Sequence, residues 1–330
     1  MKATAKAHPN IALVKYWGKR QERLILPHQS SLSVTLGPLA VTTTVEFDSA
    51  RGDDEVRING KVAQGSERER VVALLKLVRA EAKAAKLGTL GRAHMASSGD
   101  FPAAAGLASS AAAFAALAVA ARTAAGLSRD VKTESVLARQ GSGSACRSVQ
   151  GGFVRWNRGR RPDGKDSFGE QLFDEGHWPE LRLLVGMVSR EEKDVKSRDG
   201  MRMTVKTSPY YPAWARDAEA EVKRIIPFIR RRDLEAVGAI AEKNAWRMHA
   251  TAFAANPPLC YLKPATLSVI QACAELRKKG VGVWFTLDAG PNPVLLTSAT
   301  DEAAVAKVLE AHGASEVVRC HPGSDARLVG

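Results

Sequence analysis

The feature that most constrains the fold is an alanine-dense segment, residues 107–121, which follows a turn of small residues. Phe114 and Leu117 are its large side chains, and this composition is typical of a helix buried on several sides, with Gly126 as its stop. Its uninterrupted apolar stretch, Ala111 to Ala121, is too short to span a bilayer. A helix without a polar face must be covered from more than one direction, so the chain has to fold in layers.

The segments around this helix predict an α+β architecture. Residues 33–47 are rich in Val and Thr and predict strands, and Asn59-Gly60 predicts a hairpin. Ser66 and Glu69 form a capping-box pattern before an apolar helical period that Gly88 would end. Further helices and strands are expected as follows: helices near 128–141, 213–226, 233–253, 263–279 and 301–312, and strands near 181–188, 281–287, 294 and 315–320.

The length favours two domains. A chain of 330 residues exceeds what one hydrophobic core usually serves. Turn-rich residues 157–170 precede the strand near 181–188, and we place the boundary just behind that strand. The predicted domains are residues 1–187 and residues 188–330.

Composition and charge narrow the function classes. The four cysteines show no CxxC pair, which argues against a disulfide framework or a zinc site and for buried free thiols. Lys and Arg exceed Asp and Glu by 48 − 35 = 13, which fits nucleic acid, an anionic membrane surface or a phosphorylated small substrate. The basic clusters at 158–161 and 230–232 are not interleaved with aromatic residues, so nucleic acid is disfavoured.

The N-terminus lacks a signal-peptide pattern, and we expect a cytoplasmic protein without a membrane partner.

The turn before the alanine-rich helix has the composition of a phosphate cradle. In PAAAGLASSA, residues 102–111, small side chains would let backbone N–H groups approach phosphate oxygens at a helix N-terminus. Ser109 or Ser110 could offer a hydroxyl to Mg²⁺. The segment is not a Walker A motif, and an ordinary helix start packed through alanines is the more common explanation when it is taken alone.

Two further motifs change that balance: NIALVKYWGK at residues 10–19 and GSGSACRS at residues 141–148. Together with PAAAGLASSA and the late DAGPN, residues 288–292, they resemble the diphosphomevalonate decarboxylase family of the GHMP kinase superfamily. The resemblance covers nearly the whole chain. KYWGK and GSGSACRS are specific to the decarboxylases, whereas PxxxGLxSS is shared by the superfamily.

The resemblance implies a two-domain α+β GHMP kinase fold. Its N-terminal half would be ribosomal S5-like, its C-terminal half ferredoxin-like, and the active site would lie in the cleft between them. The implied reaction uses ATP and Mg²⁺ to phosphorylate the 3-hydroxyl of mevalonate 5-diphosphate. Loss of that phosphate and of CO₂ then leaves isopentenyl diphosphate, a step of isoprenoid biosynthesis. A homodimer is a further family expectation.

By the same resemblance, Asp288 is the catalytic aspartate beside the 3-hydroxyl and Arg147 holds the substrate carboxylate. Taken alone, Asp288 is more typical of an Asx turn and Arg147 of a surface arginine. Whether Asp288 removes the proton or orients the alcohol stays open, because an unshifted carboxylate is a weak base toward an alcohol. A guanidinium fork suits both oxygens of a carboxylate.

The remaining site residues also follow from the resemblance. Lys19 is assigned to the catalytic set. The positions expected near the substrate are Tyr16, Lys15, Ser142, Ser144, Ser197 and Arg198. The nucleotide phosphates are expected at Ala104, Ala105, Gly106, Leu107, Ala108, Ser109 and Ser110, with Ser109 and Ser110 also near the metal.

The chain departs from the family pattern at two places. Pro27-His28-Gln29 stands where the family commonly has Pro-Thr-Asn, and Gly99-Asp100 stands where it has Asn-Asn before Phe-Pro. These departures affect the expected nucleotide contacts and the substrate length. His249 and Trp17 are interpreted as structural and packing residues.

Several rival functions remain. A mevalonate 5-phosphate decarboxylase differs by one phosphate, and a mevalonate 3-kinase would transfer phosphate without decarboxylation. Homoserine or mevalonate kinases share PxxxGLxSS but have no reason to keep GSGSACRS. From another class, a basic nucleic-acid-binding module stays the remote alternative.

Overall fold

The computed structural model describes residues 1–48, 52–101, 109–191 and 193–330. The strands within these ranges are β1 (Lys2–Ala7), β2 (Asn10–Val14), β3 (Lys19–Gln21), β4 (Leu26–Pro27), β5 (Ser31–Gly37), β6 (Val41–Asp48), β7 (Glu55–Ile58), β8 (Lys61–Val62), β9 (Arg92–Gly99), β10 (Phe153–Trp156), β11 (Gly169–Phe173), β12 (Leu181–Gly186), β13 (Val283–Thr286), β14 (Val294–Ser298), β15 (Val317–Pro322) and β16 (Arg327–Leu328). The α-helices are α1 (Gly65–Ala84), α2 (Ser109–Ala124), α3 (Val131–Gly141), α4 (Ser197–Thr207), α5 (Tyr211–Arg230), α6 (Leu234–Phe253), α7 (Pro264–Lys278) and α8 (Glu302–Ala311). A short 3-10 helix, Gly143–Arg147, follows α3.

Two large sheets organise these elements. The first has the order β16-β1-β6-β9-β7-β8, and the second has the order β11-β10-β5-β15-β12-β14-β13, with β2 also paired to β5. The pairings are antiparallel except for β7 with β9. The second sheet crosses the predicted domain boundary, because β5 pairs with β15 from the C-terminal part. The division at residue 187 stays a prediction.

The helices cover the sheets from different sides. The alanine-rich α2 packs with α1 against the first sheet, and most of its residues are buried, as its composition predicts. In the second sheet, Leu183 faces a core formed with α5 and α6, whereas its neighbour Leu184 faces a core formed with α7 and α8. Successive strand residues point to opposite faces, so β12 requires apolar cover on both sides.

Several local predictions are confirmed. Asn59 and Gly60 adopt φ values of 48° and 78° between β7 and β8, the conformation a two-residue hairpin turn requires. α5, α6, α7 and α8 lie where the apolar periodicity places them. Trp17 is buried, with its ring edge against Tyr261.

Other local predictions are wrong. The predicted capping box at Ser66 and Glu69 does not form. α1 begins at Gly65 with Gln64 at the N-cap position, so Ser66 lies inside the helix. The helix ends at Ala84, before Gly88, since Lys86 already adopts a left-handed φ of 59°. Cys260 is exposed, unlike the other three thiols. No helix within the described ranges is long and apolar enough to cross a membrane.

Candidate active site

Lys15 and Asp288 form an ion pair where two strands end. Lys15 follows the last residue of β2 directly, and Asp288 stands two residues beyond the end of β13. Lys15 Nζ lies 2.7 Å from Asp288 Oδ1 and donates a second hydrogen bond of 2.7 Å to the carbonyl oxygen of Ala12. The side chain of Lys15 is 2% exposed and that of Asp288 is 34% exposed. The carboxylate therefore faces solvent, with the ammonium behind it.

The charge on Lys15 depends on this pair. Burial is the largest influence and lowers the pKa of the Lys15 ammonium, because a charge loses its hydration in the interior. Asp288 opposes the effect, and the nearby Arg147 adds to it. Asp288 is thus the group that stabilises the ammonium form of Lys15.

Arg147 ends the 3-10 helix and is held in one orientation. Its Nη1 donates to Ser31 Oγ at 2.6 Å, and its Nε and Nη2 donate to Asn10 Oδ1 at 3.3 and 3.2 Å. The residue is 2% exposed, and burial lowers the pKa of its guanidinium, while Asp288 is close enough to raise that pKa. Within the described ranges no carboxylate lies at ion-pair distance from Arg147, although a buried charge normally requires one.

The motif that carries Arg147 also packs against the segment after β2. Tyr16 lies against Trp156 with ring centroids 4.6 Å apart. A Cβ on Gly143 would come within 2.8 Å of the Tyr16 ring, so this position needs glycine. Ser142 Oγ lies 3.3 Å from Ser110 Oγ, and the Ser144 carbonyl accepts a hydrogen bond from Asn10. The predicted substrate serines therefore lie between Arg147 and the start of α2.

Ser109 and Ser110 open α2, as predicted, and line a cavity that is open to solvent. Arg70 and Glu67 of α1 lie across it, and its other walls are mainly apolar. The first turn of a helix leaves backbone N–H groups without intrahelical partners, which suits an anion. The remaining residues of the predicted phosphate cradle, Ala104, Ala105, Gly106, Leu107 and Ala108, lie outside the described residues.

Lys19, Ser197 and Arg198 lie on neighbouring elements, since α4 begins at Ser197 and packs against β3. Lys19 Nζ lies 2.7 Å from Glu22, so of the two motif lysines it is Lys15, not Lys19, that contacts Asp288. Burial lowers the pKa of Arg70, which lines the cavity, and the charge of Arg198 adds to this effect. The roles assigned to these residues stay predictions.

Comparisons with known proteins identify the family of this chain. Residues 7–169 match the family described as the diphosphomevalonate decarboxylase-like N-terminal domain, and residues 183–321 match the mevalonate 5-diphosphate decarboxylase C-terminal domain. This chain belongs to the diphosphomevalonate decarboxylase family. The bovine diphosphomevalonate decarboxylase is 41% identical over 311 residues, covering 89% of this chain and 76% of the bovine protein.

Solved structures of the decarboxylase family share the whole fold. The complex of MDDEF with MVAPP, AMPPCP and magnesium is 39% identical, with a TM-score of 0.91 over 100% of this chain and 99% of that one. The Staphylococcus aureus mevalonate diphosphate decarboxylase is 33% identical, with a TM-score of 0.92 over 100% and 98%. The predicted α+β fold, the ATP-dependent diphosphomevalonate decarboxylase activity and the use of ATP and Mg²⁺ are confirmed at the level of the family.

Sequence reasoning missed three site residues of this decarboxylase-family chain. Asn10 and Ser31 fix Arg147, and burial lowers the pKa of the Lys193 ammonium while the charge of Asp288 opposes this shift. Asn10 opens the motif that contains Lys15, and a buried polar residue at the start of an apolar strand is a signal that could have found it. Lys193 donates to Ser197 at 3.4 Å.

The two departures from the family pattern have structural partners. Gln29 is 1% exposed and donates 3.4 Å hydrogen bonds to the carbonyl oxygens of Lys15 and Trp17. Asp100 accepts a 2.7 Å hydrogen bond from the Ala40 N–H. Gln29 therefore supports the Lys15 segment, while Asp100 joins the end of β9 to the start of β6.

Proposed function

We propose that this chain carries out the ATP-dependent decarboxylation of mevalonate 5-diphosphate at the site formed by Asp288, Lys15 and Arg147. The observation that carries the proposal is the buried guanidinium of Arg147, whose hydrogen-bond partners are neutral, next to a paired and solvent-facing carboxylate. A substrate carboxylate would supply the negative charge that Arg147 lacks, in the bidentate geometry that a guanidinium favours.

In this proposal each side chain has its own task. Lys15 holds one oxygen of Asp288, and the other oxygen would accept the proton, or orient the hydrogen bond, of the 3-hydroxyl. Arg147 would align the substrate carboxylate with the breaking C3–O bond. The electrons of the C–C bond could then fill the developing cation as CO₂ leaves. Asn10 and Ser31 fix the guanidinium before the substrate arrives, which reduces the ordering needed on binding.

The cavity at the start of α2 is the proposed site of the nucleotide phosphates. Ser109 and Ser110 face it, Arg70 adds a positive charge, and Ser142 joins it to the substrate side through the 3.3 Å contact with Ser110. Within the described ranges no group of three His, Cys, Asp or Glu side chains could hold a metal ion. Mg²⁺ commonly binds through substrate phosphates with few protein ligands, and Ser109 or Ser110 would be the hydroxyl ligand here. The ion would neutralise phosphate charge.

Lys19, Ser197 and Arg198 are proposed to contact the 5-diphosphate, with Tyr16 and Ser144 nearby. The support is that β3 and α4, from distant parts of the chain, lie against each other. A diphosphate needs several cations to offset the loss of its hydration. Cytoplasmic location and a homodimer are proposed on the family resemblance alone.

One assay tests the function. Purified protein is given ATP and Mg²⁺ with mevalonate, its 5-phosphate or its 5-diphosphate, and ADP and CO₂ are measured separately. We expect equal amounts of both products, with the highest kcat/KM for the 5-diphosphate. Release of ADP without CO₂ would instead identify a kinase, and a preference for the 5-phosphate would identify the rival decarboxylase.

A further inference from the structure

The backbone of Lys15 is anchored by a residue from the other half of the chain. Lys15 lies beyond the end of β2, so its N–H is not part of the strand ladder. A buried N–H needs another partner, and this one donates to Asn244 Oδ1 at 2.8 Å. Asn244 lies on α6 and is fully buried. The anchor therefore connects α6 directly to the lysine that contacts Asp288.

A second buried residue fixes the orientation of Asn244. Its Nδ2 donates to Glu221 Oε2 at 2.6 Å, and Glu221, on α5, is also fully buried. The Lys15 N–H can only donate and an ionised carboxylate can only accept, so the group between them must offer one acceptor and one donor. A side-chain amide meets both requirements.

The charge of Glu221 is balanced on its far side. Lys243 Nζ lies 2.9 Å from Glu221 Oε1, and Arg247 Nη1 lies 3.6 Å from the same oxygen. Breaking a buried pair by removing one partner is strongly destabilising, whereas a paired carboxylate can stay fixed in the interior. Glu221 is thus a rigid acceptor for the Asn244 amide.

We propose that Asn244 and Glu221 are positioning residues, which hold the Lys15 backbone so that its ammonium stays against Asp288. The inference rests on the proposed roles of Lys15 and Asp288. Neither residue is assigned to contact the substrate. Their loss should slow the step in which Asp288 takes part and leave substrate binding largely intact, because small displacements of a reacting group lower the rate strongly.

Two variants separate a positioning role from a general loss of stability. They are Asn244→Asp alone and the double variant Asn244→Asp with Glu221→Gln, which is called the swap variant below. Asn244→Asp keeps the shape and the acceptor for Lys15 but sets two carboxylates against each other. We expect kcat for ADP formation to fall about 10- to 100-fold, with KM for both substrates changed less than about 3-fold. In the swap variant, Glu221→Gln places a hydrogen-bond donor opposite the carboxylate introduced at position 244, so most of the lost kcat should return.

Glu134→Gln is the matched control. Glu134 is fully buried and contacts two arginines, as Glu221 contacts two cations, but it lies on α3 away from Lys15. This variant should lower Tm while kcat stays within about 2-fold of the wild type, since the catalytic geometry is untouched. Equal loss of kcat in Glu134→Gln and Asn244→Asp would show a general stability effect and overturn the inference.

Amide hydrogen exchange gives a readout that does not depend on turnover. In the absence of substrate, Asn244→Asp should raise the exchange rate of the peptide that contains Lys15 and leave the exchange rate of β9 unchanged. In the swap variant, the exchange rate of the Lys15 peptide should return toward that of the wild type. Should Asn244→Asp not fold, Asn244→Ala replaces it in both measurements. Near-wild-type kcat in a folded single variant, or a swap that restores neither kcat nor protection, overturns the inference.

The kinetic readout is ADP formation, which the decarboxylase and its kinase rivals share. If the wild-type protein yields ADP without CO₂, the proposed function is wrong. The positioning role can still be tested, because ADP formation can be measured with whichever substrate the wild-type protein phosphorylates. If CO₂ release is normal and Asn244→Asp has no effect, the positioning role alone fails.

Discussion

Two buried clusters of charge in this molecule are built differently. On α3, Glu134 lies 2.7 Å from Arg129 Nε and 3.6 Å from Arg122 Nη1, and Arg122 also pairs with Glu81 at 2.8 Å. Each buried charge there has an opposite charge within the protein. Arg147 is buried as deeply, yet its partners are the neutral Asn10 and Ser31.

The difference separates a structural cluster from a site. Near Arg147, Asp288 pairs with Lys15 at 2.7 Å and also opposes the lowering of the pKa of Lys193 by burial. Desolvated charges are stable only when they are compensated, so an uncompensated excess of positive charge destabilises the free protein and favours an anionic ligand. The α3 cluster contributes to the fold, and the Arg147 cluster is the place where we propose that an anionic substrate binds.

Removing the carboxylate from the site cluster should have the largest effect. Asp288→Asn keeps the shape but leaves Lys15 and Arg147 without the charge of Asp288 and takes away the group that we propose orients the alcohol. ADP formation and CO₂ release should both fall by about 10²-fold or more. Paired measurement of both products checks this, with Tm as the control for folding. Near-normal CO₂ release would contradict the assigned role of Asp288.

Arg147→Lys should be nearly as damaging. The lysine keeps the positive charge but not the planar fork, so the substrate carboxylate loses its fixed orientation, and CO₂ release should fall by somewhat less than about 10²-fold. Binding of ATP and of the 5-diphosphate, measured by calorimetry, should persist. A variant with wild-type turnover would show that charge alone is sufficient at this position.

The same kind of change in the α3 cluster should act on stability instead. Glu134→Gln leaves Arg129 and Arg122 facing a neutral amide and should lower the free energy of unfolding by about 2 kcal/mol. Urea denaturation measures this loss, and kcat should be unchanged. If kcat falls while the free energy of unfolding stays constant, the contrast between the two clusters is wrong.

The smallest expected effect concerns His249, which is fully buried near Lys15. Burial lowers its pKa to about 4 from 6.5, so the unfolded chain binds a proton between these pH values and the folded chain does not. The stabilisation is present above pH 6.5 and is lost as pH falls toward 4. Between pH 7 and pH 5 the loss should be between about 1 and 2 kcal/mol.

Urea denaturation at both pH values checks the His249 prediction, with His249→Gln as the comparison variant. The variant cannot titrate in this range, so its stability should change less between the two pH values. Equal pH dependence in the two proteins would mean that His249 is not the group responsible.

Much of the fold could be predicted from local sequence. The Asn59-Gly60 turn, the alanine-rich α2 and the periodic helices of the C-terminal part lie where composition and spacing place them. The start of α1 could not be predicted so well, because a capping pattern competes with neighbouring turns and tertiary contacts decide between them. α4 carries few apolar residues and gave no periodic signal.

The sequence by itself determined the family, the chemical types in the site and the elements that carry them. By resemblance it assigned Lys19 to the catalytic set and Lys15 only to the neighbourhood of the substrate, although the two lysines share one motif and one side-chain chemistry. Only the tertiary structure shows that Lys15 is the one in contact with Asp288, because Lys15 meets Asp288 across 273 residues of the chain and Asn244 across 229. Burial and partner distance come from the packing of remote elements, and these two quantities decide whether a charged side chain is solvated at the surface or held at a site.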